Sequence, residues 1–484
     1  MTTALPAAIQ LRDALEARAV RFVHWKSNHH LDQALAGDTD LDLLVARRDA
    51  EVFRSTVLGL GAVRALSQPW ACYPDVEDWL LLDADSGKFL HLHVHFEMVT
   101  GLKRVKHLRL PWAEAVLQTL WHDPVSGWPV PAAEMELLVL LVRIWAKMPP
   151  LRRWFGPRIP PHILAELRWL ERVASPGALA VRAGELGLKA SFPLDLASEA
   201  AIIRQARAFH AQVKHQARMP WPMALLMALW RNLRLVLTRL WLHHVGPVRY
   251  RKTLAGKGLM VALIGSDGSG KSTLGRALER WLRYKLDVHL VYMGSGDGRA
   301  GLVNGLRRAL SAAFGKSIRA RKRAGPAAAQ KPASFAERLY RLFDLLLLRR
   351  KLRLLRRARV LADRGSIILL DRYPQQQFMA ISDGPRQQDG RGFGWAARQE
   401  MGLFEEAARL GPDLVLKLKL APEVAQQRKP DHDLDTIRQK CAITDALVFA
   451  GAAMVDIDAG AAPEAVLRAA QAAVWRQMQQ GARP

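Results

Sequence analysis

The most chemically explicit stretch of this chain is Gly265-x-x-x-x-Gly270-Lys271-Ser272. Its residue types suit a loop that wraps a polyphosphate. Gly265, Gly268 and Gly270 let the backbone curl until its N–H groups face an anion. Lys271 adds a point charge for the β- and γ-phosphates, and Ser272 offers a hydroxyl to Mg²⁺. Asp267, Ser269 and Thr273 fill out the stretch. A second group follows at Asp371-Arg372-Tyr373. An acid at the end of an apolar strand, beside such a loop, is placed to serve the same Mg²⁺.

Two further groups lie near the N-terminus. In Thr39-Asp40-Leu41-Asp42-Leu43-Leu44-Val45 two carboxylates stand two residues apart. On a strand they share a face, so Asp40 and Asp42 could hold one hard cation together. His91, His93 and His95 alternate along a second strand-like run, Lys88 to Glu97. They offer either transition-metal ligation by neutral imidazole or a solvated, hydrogen-bonded strand face.

The elements that must position these groups follow from apolar patterning. Leu259 to Ile264 reads as a buried strand leading into the glycine-rich loop, and Thr273 to Tyr284 as the helix whose positive end faces the anion. Strands are expected at Val288–Met293, Ser366–Leu370, Leu414–Leu420 and Met454–Ile457, with helices at Phe335–Arg364 and Pro463–Gln479. Strands alternating with helices, each with a near-continuous apolar core, mean a parallel doubly wound sheet whose ligands sit at the C-terminal strand ends. In the N-terminal part, strands at Val20–Trp25, Thr39–Val45 and Lys88–Glu97 mix with a helix at Pro6–Ala19, an α+β arrangement. Met135 to Lys147 opens a helical stretch that ends at Met148-Pro149-Pro150. The resulting division is 1–130 (α+β), 131–215 (helical), 216–257 (a basic connecting helix and linker) and 258–484 (α/β, with a basic insertion at about 300–335). In the connecting helix, Trp230 and Trp241 stand among Arg231, Arg234 and Arg239. That pattern serves a bracing helix or one lying in a membrane interface.

Composition sets outer limits. Half of the 484 residues are hydrophobic, which predicts globular domains. The two cysteines, Cys72 and Cys441, exclude a disulfide framework and point to a reducing compartment. Met1 to Val20 lacks the layout of a signal peptide, and no uncharged apolar run reaches the ~20 residues of a membrane span. The expected location is cytoplasmic. The net charge is +26, and residues 301–360 concentrate seventeen Lys/Arg against Glu337 and Asp344. Such a region suits a polyanion or an anionic membrane surface, or is simply a solvated basic insertion.

Residues 258–478 resemble thymidylate kinase and its relatives among the P-loop nucleoside and nucleotide kinases. The resemblance rests on Ser266 to Thr273, on Asp371-Arg372-Tyr373, and on Pro412-Asp413-Leu414-Val415 with Ala421-Pro422-Glu423-Val424. It implies a P-loop NTPase domain that uses ATP and Mg²⁺. It further implies that Asp267 touches the acceptor's sugar, that Arg372 holds the acceptor phosphate, and that Arg428, with Lys429, covers the transferring phosphoryl group. The family's Arg-Glu-Pro motif is absent, and Met293-Gly294-Ser295-Gly296-Asp297 stands in its place. Pro374-Gln375-Gln376-Gln377-Phe378 lacks the elements that bind thymine. The N-terminal part resembles the nucleotidyltransferase superfamily, with Asp40 and Asp42 as the Mg²⁺ carboxylates and Ser27 near the family serine. Lys26 stands where that family has glycine, and no third carboxylate is evident.

These expectations combine into an ATP-dependent phosphotransferase whose acceptor is a nucleotide or a sugar-type small molecule. The alternatives are a nucleic-acid end-processing enzyme and a non-catalytic NTP-binding switch.

Overall fold

The computed structural model describes residues 4–244, 249–293, 335–378, 381, 383–385, 394–431 and 433–481. It divides the chain into two units, Met1–Ala255 and Gly256–Pro484. Both mix helices with strands, so the chain is of mixed α/β type.

The first unit is built on a six-stranded sheet in the order β1 (Phe22–His24), β2 (Leu41–Val45), β5 (Phe89–His95), β4 (Val76–Leu82), β3 (Val63–Leu66) and β10 (Thr253–Leu254). Two short ribbons, β6 (Met98–Thr100) with β7 (Leu108–Leu110) and β8 (Trp121–His122) with β9 (Pro129–Val130), are the other strands described in this unit. β2 and β5 run parallel and the remaining neighbours in the large sheet antiparallel. Alternation along β5 separates two environments. Leu90, Leu92 and Val94 join Leu41, Leu43 and Phe53 in one core. His91, His93 and His95 occupy the alternate positions. Val23, Trp25 and Leu44 belong to a second core, centred on the helix Ala133–Lys147. That helix is buried nearly all round, which its continuous apolar sequence requires, and Pro149 and Pro150 follow its end.

The helix Trp221–His244 packs Ala224 and Ala228 on Leu102 and Val105. Leu226, Leu229, Trp230, Leu233, Leu237 and Trp241 are exposed. Among the described residues no helix is long and apolar enough to cross a membrane. The stretch read as linker contains β10, whose Thr253 pairs with Leu66. A two-residue strand carries no periodicity of its own, which is why patterning misses it.

The second unit holds a five-stranded, wholly parallel sheet in the order β12 (Val288–Tyr292), β13 (Ile367–Asp371), β11 (Leu259–Gly265), β14 (Leu414–Lys419) and β15 (Ala453–Asp458). Met260, Ala262 and Ile368 face a core shared with Leu352 and Leu355 of the helix Phe335–Asp363. On the other face the helix Lys271–Leu282 lies close, because Gly275 has no side chain to meet Leu263 and Leu290. Chain order reverses around β11, so its C-terminal end opens into a crevice of the kind that holds ligands in such sheets. The helices Gly394–Arg409 and Leu434–Ala446 also belong to this unit. Most of the basic insertion at about 300–335, and Gly294-Ser295-Gly296-Asp297, lie outside the described residues.

Candidate functional site

β11 ends at Gly265, and the loop to Gly270 returns the chain into the helix Lys271–Leu282. Gly268 and Gly270 both adopt φ +87°, left-handed backbone that disfavours any side chain. Lys271 starts the helix and folds its ammonium back under the loop. Nζ donates to the carbonyls of Gly265 at 2.8 Å and Ser266 at 2.6 Å, and lies 3.4 Å from Ser269 Oγ. Only 8% of Lys271 is exposed. That burial, together with the neighbouring Arg372 charge, pushes its pKa down to about 8. Thr273 lies in the first helical turn, its N–H 3.0 Å from Gly270 O.

Strand pairing sets Asp371 directly opposite Leu263, beside the loop. Ser272 Oγ donates to Asp371 Oδ2 at 2.5 Å. Asp371 Oδ1 is buried and has no hydrogen-bond partner among the described residues. A hydroxyl and an orphaned carboxylate oxygen at one point are hard donors, the set that fits Mg²⁺.

Arg372 follows in a left-handed conformation, φ +77°, which swings its side chain across the crevice. Its guanidinium lies 3.3 Å from Asp267 Oδ1 and 3.6 Å from Asp383 Oδ2. Lys440, on the helix Leu434–Ala446, pairs with the other oxygen of Asp267. Burial alone would raise the Asp267 pKa, but Lys440 and Arg372 hold it below the usual carboxylate range. A cavity of about 250 Å³ opens here, lined in part by Gly265, Asp267, Lys271, Arg372, Asp383 and Lys440. Arg428, at the end of the helix Pro422–Arg428, donates to Ala459 O at 3.1 Å and reaches 3.5 Å from Gly268 O. The structure thus brings Asp267, Lys271, Ser272, Asp371, Arg372 and Arg428 around one loop. Lys440 and Asp383 are additions that no motif in the sequence signals.

In the first unit the predicted polar residues also meet, with different partners from those expected. Asp42 Oδ1 takes Lys26 Nζ at 2.7 Å, while Asp40 Oδ1 takes His91 Nδ1 at 2.8 Å. His91 Nε2 and His93 Nδ1 lie 3.1 Å and 2.9 Å from the same oxygen of Asp78. Lys252 Nζ lies 2.6 Å from the second. Burial works against an ionised Asp78, yet His91, His93 and Lys252 hold its pKa well below normal. Burial lowers the His91 pKa, but Asp40 and Asp78 more than reverse this. Burial, with Lys26 nearby, pushes Lys106 down to about 7. Ser27 stands at φ +60° and donates to Glu166 Oε1 at 3.3 Å. Asp78 sits on β4, a strand the sequence pattern does not reveal.

No family model matches the chain. Over 220 residues, 44% of this chain and 92% of the relative, it is 29% identical to the "uncharacterized ATP-binding protein YghS" of Escherichia coli strain K12. Over 228 residues, 44% of this chain and 86% of the relative, it is 29% identical to the "uncharacterized ATP-binding protein YghR" of the same strain. For a little under half its length, then, this chain is similar to proteins whose names record ATP binding.

Proposed function

We propose that the second unit binds ATP with Mg²⁺ and transfers the γ-phosphoryl group to a nucleotide or sugar-type acceptor, on a P-loop fold like that of thymidylate kinase. The observation that carries this reading is the meeting of Lys271, the Ser272–Asp371 pair and Arg372 at the C-terminal ends of β11 and β13. The names of the two similar proteins support its first half, ATP binding.

Each residue has a task the geometry allows. Lys271 Nζ exchanges its loop carbonyls for donor phosphate oxygens, and the loop N–H groups share that load. Ser272 Oγ and Asp371 would hold Mg²⁺, whose chemistry is to neutralise charge on the β- and γ-phosphate oxygens. Arg372, steadied by Asp267 and Asp383, faces the cavity and orients the acceptor. Arg428 reaches the loop at Gly268 and stabilises charge on the transferring group.

The test is a transfer screen with the purified chain, γ-labelled ATP and Mg²⁺. Acceptors are dTMP, other nucleoside monophosphates, simple sugars and RNA ends, with Lys271→Ala as control. Label on a nucleotide or sugar, absent in the control, is the expected result. Label on RNA ends alone moves the activity to nucleic-acid processing. ATP binding with label on no acceptor overturns the proposal in favour of a non-catalytic switch.

A further inference from the structure

In the middle of the first unit's sheet, Asp42, His93 and His95 each place a ligand-type atom within 4.8 Å of the others. Asp42 on β2 and His93 on β5 are direct register partners. His95 Nε2 lies 4.0 Å from Asp42 Oδ1.

His95 supplies the independent observation. Its side chain is fully buried, and among the described residues neither ring nitrogen has a hydrogen-bond partner. Buried polar groups are almost always paired, so an imidazole orphaned at both nitrogens calls for a ligand. Trp25 stacks edge-on against the ring at 5.1 Å and fixes its plane. His93 is prepared in another way. Asp78, a carboxylate, can only accept, so the bond at 2.9 Å places the proton on His93 Nδ1. Nε2 then presents its lone pair, and a carboxylate behind the ring is the common support of a metal-bound histidine. The Lys26 ammonium already sits 2.7 Å from Asp42 Oδ1, a positive charge at one of the atoms that would ligate, and Lys106 Nζ lies 3.4 Å from His93 Nε2.

We propose that Asp42, His93 and His95 bind one divalent transition-metal ion, Zn²⁺ or a similar ion, and that Lys26 leaves Asp42 as it binds. Two imidazoles and one carboxylate favour such an ion over Mg²⁺ or Ca²⁺, which prefer all-oxygen sites. Metal–nitrogen bonds of ~2.0–2.1 Å require the three donors to draw closer. Asp42 and His93 are only partly buried, which leaves them room to turn and the ion a way in. Three protein ligands leave a coordination position open to water or a substrate. Asp40 is not a ligand here; it serves His91.

The test uses the untagged full-length chain, stripped of metal and free of nucleotide. It is titrated with Co²⁺ and followed by visible absorption, then challenged with Zn²⁺. The expected result is one Co²⁺ per chain, displaced by Zn²⁺, and lost in His95→Gln and Asp42→Asn. Asp78→Asn weakens binding by roughly 10–100-fold. Asp40→Asn leaves it unchanged. Lys26→Met tightens it by about tenfold or more, because an ammonium no longer competes for Asp42; a misfolded variant cannot produce that gain. Absence of bound Co²⁺ in both the wild type and Lys26→Met overturns the proposal. So does binding that survives both His93→Gln and His95→Gln. A site that takes Mg²⁺ and is lost in Asp40→Asn overturns it in favour of a hard-cation pair at Asp40 and Asp42.

Discussion

Ser272 Oγ donates to Asp371 Oδ2 at 2.5 Å, joining residues 99 positions apart in sequence. The bond ties the first turn of the helix after the loop to the end of the neighbouring strand, and it leaves Asp371 Oδ1 buried and without a partner among the described residues. Asp371→Asn keeps the shape and removes the charge. Phosphoryl transfer is expected to fall by ~10²–10³, the cost of removing one preorganised electrostatic group. Ser272→Ala raises the Mg²⁺ concentration needed for half-maximal rate. Rate against Mg²⁺ concentration, with thermal melts to check folding, decides both; an unchanged Asp371→Asn rate removes Asp371 from the mechanism.

Lys271 gives a pH dependence with a defined sign. Burial depresses its pKa to about 8 in the free protein. Phosphate binding needs the charged form, so ATP affinity holds below pH 8 and weakens as pH rises through it. Lys271→Arg keeps its charge above pH 12. In that variant the weakening between pH 8 and 9.5 disappears, even if its affinity is lower throughout. Calorimetric titration of ATP at four or five pH values checks this; a flat wild-type profile would mean that Lys271 keeps its charge well above pH 8.

Asp267 lies between Arg372 and Lys440. Removing its charge with Asp267→Asn leaves Arg372 with Asp383 as its remaining carboxylate partner here, and less firmly held. A charge-assisted hydrogen bond contributes ~1.5–3 kcal/mol when well shielded. Arg372 is 37% exposed, so solvent screening puts the effect at the lower end, about tenfold. It should appear in the acceptor KM, with ATP affinity nearly unchanged. Lys440→Met should move the same parameter in the same direction. An effect confined to ATP binding would place the network on the donor side.

Glu136 offers a stability test away from the loop. It is almost fully buried in the helix Ala133–Lys147 and accepts from Asn28 N and Nδ2 at 3.1 Å and 2.7 Å. Burial raises its pKa to about 7 from the ordinary glutamate value of 4.5. Between those values the folded state holds the proton more tightly than the unfolded state, so stability falls as pH rises from 4.5 to 7 and is level above. The loss is up to about 3 kcal/mol. Glu136→Gln has no such titration. Its melting temperature relative to wild type should therefore improve from pH 5 to pH 8; a constant difference would mean that Glu136 stays ionised throughout.

The loop and the strands of the second unit could be read in the sequence because their signals are local. Leu259–Gly265, Ile367–Asp371 and Leu414–Lys419 are short apolar runs bounded by glycine or by charged and proline residues, and the loop chemistry is contiguous. Lys440 could not be read. It lies on a helix of weak amphipathicity, and only tertiary packing brings it to Asp267. The first unit was harder for the same reason. β3 and β4 are marked by charged residues, Arg64, Glu77 and Asp78, that look exposed in sequence. Glu77 and Asp78 are in fact buried by partners from Arg54, Arg64, His91, His93 and Lys252. The alternation of histidines was visible, but their separate partners depend on strand order, which no local pattern encodes.

Asp42, His93 and Asp78 lie in one row across β2, β5 and β4. A sheet carrying that row checks its own assembly. Sliding any of these strands by one residue turns its charged or imidazole group toward Leu41, Leu43, Leu90 and Leu92, and sends leucines to the polar side. Misaligned folding intermediates are therefore penalised on both faces at once. Single-residue insertions or deletions within these three strands should be far less tolerated than in the turns that join them.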